Sequence, residues 1–420
     1  MSESPSTGDG LRNVASPLNQ LFKEALGQRV FSGASLLVGN PDSILFEKTW
    51  GYTQWGGSAV DFRTRFDLAS LTKPLLTATL CMYAIQEGRI DIDDKLHRFF
   101  PSTSLDIHKS RITLRQLLNH SSGLPPYIPF YRELIANPVE QRPTVLQSKI
   151  LKTPLISAPG KVCHYSDLGF ILLGMILEKV FHKPLSLLAS DCFQKLYTCT
   201  RMWKPSLANL TAYPTFRPMQ VGYVPTDSPV MIDMDARPHS PVNRHEPAAY
   251  SATGARIKDD SVSFVATEYC PWRKRILKGE VHDENAYSLG GIAGHAGLFG
   301  TAREIFRLIS FLWNIYRGSI RGFCSPEVVR VFWEKQKMAP ESTWALGYDT
   351  PSMTQSSAGK YFSPCSVGHL GFTGTSFWMD LEREILIILL TNRVYPTRQN
   401  DKLKAFRPTL HNLIMDSFNV

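Results

Sequence analysis

Apolar positions fall into short β-type runs near the two ends of the chain and longer helical runs between them. Phe31–Gly39 and Ser43–Trp50 are rich in strand formers and are separated by Asn40-Pro41-Asp42, turn residues that predict a hairpin. Near the other end, Gly368–Thr375, Ser376–Asp380 and Ile385–Thr391 predict a second set of strands, with a turn at Leu381–Glu384. Leu75, Leu76, Ala78, Leu80, Met82 and Ile85 predict a helix over about Leu71–Glu87, with Gly88 as its stop. Leu168–Phe181 is apolar almost all round, which predicts a buried helix. Ala302–Tyr316 and Leu403–Phe418 predict two more helices, and Leu18–Leu26 a short amphipathic one. Ile90–Arg115 reads as loop and short turns, Tyr131–Leu151 as mostly helical, and Phe193–Ala212 as short elements. From Tyr213 to about Gly290 periodicity is lost and prolines, aspartates and histidines are frequent. A loop insertion of that length commonly forms the wall or lid of a site. The pattern therefore predicts an α/β (α+β) architecture: one antiparallel sheet built from both chain termini, flanked by helices, with an inserted mostly helical region. Residues 1–17, small and polar, read as a disordered leader. Residues 18–420 read as one domain, its α/β part at about 18–80 and 290–420 and its helical and loop part at about 81–289.

Composition narrows the partners. With 420 residues, 43% hydrophobic and 20% charged, the chain can bury a sizeable core and is not a disordered polymer. The net charge is +9, yet the densest basic run is only Arg273-Lys274-Arg275, so no nucleic-acid partner is expected. A modest preference for anionic substrates fits that charge. No apolar stretch is long enough to span a bilayer: Ile171–Leu177 is broken by Glu178, and Ile385–Leu390 has strand length. The leader lacks the apolar core of a secretory signal, and seven scattered cysteines fit reduced thiols, so a cytoplasmic location is expected. Cys192 and Cys199 are spaced too loosely for a metal knuckle. The oligomeric state is open.

Candidate chemistry begins at Ser70-x-x-Lys73, at the mouth of the first long helix. Residues three apart share a helix face, so the Lys73 amine can act as a base for the Ser70 hydroxyl or hold a proton network that activates it. Pro74 is tolerated in a first helical turn, and the backbone N–H groups there favour developing negative charge. The glycine-rich Gly290–Gly300 lacks the Gly-Lys-Ser/Thr of a phosphate loop and reads as close backbone packing. His282, Asp283 and Glu284 are adjacent, and adjacent side chains rarely converge on one ion, so no metal is expected there. No cofactor is implied.

Three stretches fit together in order: Ser70-x-x-Lys73, Tyr165-Ser166-Asp167 and His369-Leu370-Gly371. With Leu117–Leu124, Tyr165–Phe170 and Gly368–Ser376 around them, the chain resembles the serine β-lactamase and penicillin-binding-protein superfamily over roughly residues 20 to 415. It looks closest to the branch of class C β-lactamases, D-alanyl-D-alanine carboxypeptidases and family VIII esterases. The resemblance implies a β-lactamase/transpeptidase-like fold and hydrolysis of an ester, amide or peptide-like small molecule through an acyl-enzyme. It implies Ser70 as nucleophile, Lys73 and Tyr165 as the proton-transfer pair, the Tyr165 phenol acidified by Lys73, and the backbone N–H groups of Ser70 and Phe372 as the oxyanion hole. Asp167, His369 and Gly371 fall at substrate-binding positions. Two of these depart from the family pattern. Asp167 replaces the usual asparagine and can pair with Lys73; His369 replaces the usual lysine, leaving a pH-dependent anchor for a substrate carboxylate. Leu370 also removes a threonine hydroxyl that commonly contacts that carboxylate. These changes weaken the case for an efficient β-lactamase and are compatible with an esterase or amidase; a β-lactamase or D,D-peptidase proper is the alternative. The strings Glu268–Arg273, Val281–Ala286 and Ala293–Leu298 look like a bacterial subgroup, some of whose members are assigned to peptidoglycan recycling as amidases of muramyl peptides. A non-catalytic binding module that keeps the fold is the remaining alternative, and the presence of Ser70, Lys73 and Tyr165 speaks against it.

Overall fold

In the computed structural model the described residues are 7–101, 106–203, 219–221, 249–250, 256–257, 262–337, 339 and 341–418. Five antiparallel strands form the main sheet: β1 (Gly33–Gly39), β2 (Ile44–Gly51), β3 (Val367–Leu370), β4 (Ser376–Asp380) and β5 (Ile385–Thr391). Their spatial order is β3-β4-β5-β1-β2, so strands from the two ends of the chain meet at the β5–β1 pair. Leu37 lies opposite Ile388 and Ala34 opposite Thr391 in that pair. This is the antiparallel, two-termini sheet that the hydrophobic pattern predicts.

Both faces of the central strands are covered, which is why β5 reads Ile-Leu-Ile-Ile-Leu-Leu without polar alternation. On one face Leu36, Ile387 and Leu389 pack with the terminal helices α1 (Thr7–Gly27) and α5 (Leu403–Asp416). Phe22 of α1 stacks on Trp50 with ring centroids 3.8 Å apart and meets Phe406 of α5 edge-on at 5.2 Å. On the other face Leu37, Leu386 and Ile388 pack with α2 (Thr79–Gln86), α3 (Asp167–Phe181) and α4 (Ala302–Tyr316). Thr301 and Glu304 close a capping box at the start of α4.

Several sequence expectations need correction. Helix α1 begins at Thr7, so residues 7–17 are helical and not a disordered leader; the apolar stripe through Leu18, Phe22 and Ala25 gives it a surface to dock on. Residues 1–6 lie outside the described residues. The helix expected over Leu71–Glu87 is regular α-helix only from Thr79. It opens as a 3₁₀ turn at Ala69–Leu71 and continues as a π-helical stretch at Lys73–Ala78. Pro74 has no N–H to give the ladder, and Thr79 Oγ1 donates to the Pro74 carbonyl at 3.0 Å. The region expected as loops also holds a hairpin, Ala266–Cys270 with Arg275–Lys278, and a short helix, Glu284–Ser288. Much of the rest of that insertion, including residues 222–248, lies outside the described residues. The stretch Phe193–Ala212, expected to hold short elements, is instead part of one long helix, Leu185–Trp203, as far as residue 203, and residues 204–212 lie outside the described residues. No helix among the described residues is long and apolar enough to cross a membrane.

Candidate active site

Ser70 sits where the strand Phe66–Asp67 breaks into the 3₁₀ turn. The bend needs Ala69 at φ 48°, a left-handed conformation that costs a non-glycine residue free energy. Asp67 holds it: Oδ1 accepts the Ala69 N–H at 2.8 Å, while Oδ2 accepts the N–H of His282 at 2.7 Å. Lys73, three residues on at the start of the π-helical stretch, comes to lie beside Ser70. Lys73 Nζ donates to Ser70 Oγ at 3.0 Å and to Asp167 Oδ1 at 2.7 Å, and the lysine is fully buried. The His295 carbonyl accepts from the same amine at 3.4 Å. Burial works to lower the pKa of Lys73, but Asp167 and Tyr165 oppose it and the net direction is up.

Asp167 is placed by the start of α3, whose N-cap Ser166 accepts the Gly169 N–H at 3.3 Å. Tyr165, one residue before the cap, puts its ring 4.7 Å from Lys73 Nζ, and its phenol hydrogen-bonds with both Lys73 and Ser70. The expectation that Lys73 acidifies this phenol needs correction. Lys73 does pull its pKa down, but complete burial and the Asp167 carboxylate push it up, and burial prevails. One residue missed by sequence reasoning is His120, within the string Leu117–Leu124. Its Nδ1 accepts the Ser166 N–H at 3.0 Å and its ring packs 4.5 Å from that of Tyr165. Burial holds its pKa well below the usual histidine value, so it is a neutral prop for the Tyr165–Asp167 corner.

His369 lies on β3, one residue before its end, and is only 1% exposed. Burial first, and Lys73 second, depress its pKa to about 3. Burial and the Lys73 charge both work against a cationic, pH-dependent anchor at His369 and favour a neutral ring. Nδ1 donates to the Leu370 carbonyl at 2.8 Å, which leaves Nε2 an acceptor without a partner. Gly371 follows the strand, and there a Cβ would overlap Thr375 Oγ1 and come within 2.7 Å of the Leu68 carbonyl. Thr373 Oγ1 and Thr375 Oγ1 donate to the carbonyls of Asp67 and Leu68, at 2.7 and 3.0 Å. These bonds tie the turn after β3 to the segment that carries Ser70. Phe372, in that turn, is 49% exposed, and its N–H has no acceptor among the described residues.

Ser70, Tyr165, Asp167, His369, Gly371 and Phe372 line one cavity of about 640 Å³. Lys73 lies buried against Ser70 and Asp167 at its edge. The middle strings form the facing wall through His282, Asp283, Glu284 and His295. The three adjacent residues diverge to separate partners. His282 Nε2 lies 3.1 Å from Glu268 Oε2, off the hydrogen-bond axis; Asp283 Oδ1 bonds His295 Nε2 at 2.9 Å; Glu284 accepts from Arg398 at 2.6 Å. Arg398 also grips Glu268 in a fork, with contacts of 2.9 and 2.6 Å. Despite partial burial, the nearby His282 ring and the Arg398 fork hold Glu268 down at a pKa of about 2. Asp167, Asp283 and His295 bring potential ligand atoms within 4.8 Å of one another, but Lys73 already neutralises Asp167 there, and its ammonium would repel an ion. The glycine-rich stretch packs closely, as expected: a Cβ on Gly294 would overlap the Phe170 carbonyl.

The model of the Beta-lactamase family matches residues 18–407. The chain belongs to that family. Within it, an N-acetylmuramyl-L-alanine amidase of Bacillus subtilis (strain 168) is 29% identical over 382 residues, covering 86% of this chain and 77% of that protein. Among solved structures, EstCE1, a hydrolase with promiscuous acyltransferase activity, superposes with a TM-score of 0.59 at 18% identity, covering 94% of this chain and 99% of that one. The simvastatin synthase LovD from Aspergillus terreus gives 0.60 at 15% identity, over 96% and 99% of the two chains. At these identities the structural matches establish the Beta-lactamase fold.

Proposed function

We propose that this member of the Beta-lactamase family is a serine hydrolase that cleaves an ester or amide bond through an acyl-enzyme on Ser70. The observation that carries the reading is the buried Lys73 ammonium, 3.0 Å from Ser70 Oγ and 2.7 Å from Asp167 Oδ1. A buried charge is costly unless it is paired, and a hydroxyl held against it is unusual outside a catalytic site. Ser70 Oγ attacks the substrate carbonyl, and the backbone N–H groups of Ser70 and Phe372 receive the developing oxyanion. Lys73 and Tyr165 are both protonated in the resting protein, since both pKa values are shifted up. A proton must therefore leave Lys73 before it can accept one from Ser70. Asp167 holds that amine in an ion pair at 2.7 Å, so the aspartate at this position governs how readily Lys73 gives up its proton. As the tetrahedral intermediate collapses, the bond to the leaving alcohol or amine breaks, and that group takes up the proton that Ser70 gave to Lys73. Water, deprotonated by the same amine, then attacks the acyl carbonyl and releases the acid and Ser70.

An amide substrate of the muramyl-peptide kind is favoured by the Bacillus amidase, which aligns over most of both chains. The β-lactamase and D,D-peptidase readings are weakened by a neutral His369 followed by Leu370. Cys81, Cys163, Cys192, Cys270, Cys324 and Cys365 are free thiols, which supports a reducing, cytoplasmic setting. The test is labelling with a fluorophosphonate followed by intact-mass spectrometry. One adduct on the parent protein and none on Ser70→Ala is expected; an adduct that persists on Ser70→Ala would overturn the assignment. A screen of acyl esters, β-lactams and muramyl peptides then separates the substrate classes.

A further inference from the structure

The Lys73 ammonium rests against Ser70 Oγ, Asp167 Oδ1, the Tyr165 phenol and, at 3.4 Å, the His295 carbonyl. The last of these belongs to a segment laid along the Ser70 segment. Thr77 Oγ1 donates to the Gly294 carbonyl at 2.6 Å, and the Leu298 N–H donates to Thr72 Oγ1 at 3.2 Å. The His295 ring is held from the other side, with Nε2 2.9 Å from Asp283 Oδ1. Asp283 is itself fixed, because the same oxygen accepts the Ala286 N–H at 2.7 Å as the N-cap of the short helix Glu284–Ser288. The N–H of the preceding residue, His282, goes to Asp67, which also holds the bend at Ala69. One network therefore runs from the Ser70 bend through Asp283 and His295 back to Lys73.

Charge makes this pair more than a brace. Asp167, Asp283 and a His295 ring nitrogen lie within 4.8 Å of one another. Two carboxylates that close repel each other, and each here has its own counterpart, Lys73 on Asp167 and His295 on Asp283. Burial works to raise the pKa of Asp283, but His295 and the Ala286 N–H carry it well below the usual carboxylate value, so it is ionised. An ionised carboxylate only accepts, so Nε2 carries the ring proton. Nδ1 has no partner among the described residues, and His295 can take a second proton there without breaking a bond. The other groups facing the pair are already matched. His282 lies beside Glu268, Glu284 is bonded to Arg398, and Asp67 spends both oxygens on N–H groups. Burial first, then Asp283 and Glu284, keep the Tyr127 phenol protonated. On the Lys73 side Tyr165 stays protonated, and burial favours neutral rings at His120 and His369.

We infer that Asp283 and His295 are a positioning pair that sets the pH at which Lys73 gives up its proton. Asp283 supplies negative charge that keeps the ammonium protonated. His295, bonded to that charge and adjacent to Asp167, tempers it, and its carbonyl holds the amine beside Ser70. Removing a nearby negative charge disfavours an ammonium and lowers its pKa; removing a group that can carry positive charge beside that carboxylate does the opposite. Loss of Asp283 and loss of His295 therefore push the acid limb of the reaction in opposite directions, whereas a purely structural role for either would move neither limb. Both residues lie outside the Ser-Lys, Tyr and His-Leu-Gly strings. The inference rests on the serine-hydrolase reading, in which Lys73 must lose a proton before it can act as a base.

The experiment is the pH profile of kcat/KM for a 4-nitrophenyl ester, and of the rate of fluorophosphonate labelling, on the full chain and its Asp283→Asn and His295→Gln variants. Asparagine keeps an acceptor for the Ala286 N–H and for the His295 ring, so it removes the charge and little else. Glutamine keeps a donor for Asp283 but cannot be protonated. Asp283→Asn should move the acid limb of both profiles to lower pH by at least about half a unit, and His295→Gln should move it up by a similar amount, as for one charge lost nearby. An acid limb unmoved in either folded variant, or moved the same way in both, would overturn the inference. Where His295→Gln fails to fold, Asp283→Asn alone decides it. A parent that labels while the variants leave its acid limb in place removes this inference and keeps the hydrolase reading; a parent that neither labels nor hydrolyses removes both.

Discussion

Asp167→Asn isolates the electrostatic work at the centre of the site. At 2.7 Å, with an effective dielectric constant of about 20, the gross attraction between Lys73 and Asp167 is about 6 kcal/mol. Desolvation of a fully buried ammonium offsets part of it. Removing one partner of such a pair typically costs about 3–5 kcal/mol, because the other charge is left uncompensated. Lys73 has one escape, which is to release its proton. In the parent the pKa of Lys73 is raised, so its contribution is fully present below the unfolded-state value and is lost only as pH rises through the folded value. In the variant the largest remaining influence is burial, which lowers the pKa. The sign then reverses: protonation of the unfolded chain drains stability as pH falls. The variant should therefore be less stable than the parent by about 3 kcal/mol near about pH 6, and the deficit should shrink toward alkaline pH. Its amine, neutral more of the time, should move the acid limb of kcat/KM to lower pH. Urea denaturation across a pH series, paired with hydrolysis of a 4-nitrophenyl ester, reads both effects. A deficit independent of pH, or one that grows as pH rises, would refute the reasoning.

Lys73→Met and Tyr165→Phe should each cut turnover by about a hundredfold or more, and the double variant little further, because the two groups share one proton path; a kinetic double-mutant cycle reads the coupling. His369 and His411, both held at a pKa of about 3 by burial, should make the protein lose stability as pH falls below about 6.5, since the unfolded chain takes up protons that the native state refuses. Melting temperatures from neutral to mildly acidic pH check this, and His411→Gln should flatten the slope. The same neutrality means that KM for a carboxylate-bearing substrate should show no inflection from His369 near about pH 6.5. Gly371→Ala should disturb the turn after β3 and lower kcat more than the melting temperature alone explains, because its Cβ would meet the Leu68 carbonyl beside the Ser70 segment; a circular-dichroism melt with parallel kinetics separates the two.

What the sequence determined by itself is the part that depends on local pattern. Turn residues at 40–42 and the uninterrupted Ile385–Leu390 run announce strands, because alternation and turn chemistry act within a few residues. The buried helix at 167–181 is legible from its all-round apolarity, and Ser70 and Lys73 share a face because three residues separate them. The tertiary structure decided everything that depends on burial and on distant neighbours. Helix α1 is helical from Thr7 in a chain whose Phe22 docks on Trp50 and Phe406, a contact no window of sequence contains. The 3₁₀ and π turns around Pro74 are stabilised by bonds to residues more than two hundred positions away, such as Thr77 to the Gly294 carbonyl. Protonation was the least legible of all. Tyr165 and His369 have pKa values opposite to, or far from, those their motif positions imply, because desolvation outweighs the charge of Lys73 in one and adds to it in the other. His295 carries no signal of its own within a glycine-rich stretch; only the packing of that stretch against the Ser70 segment brings its carbonyl to Lys73. Periodicity encodes which way a side chain faces, and the dielectric it meets there exists only once the chain has closed around it.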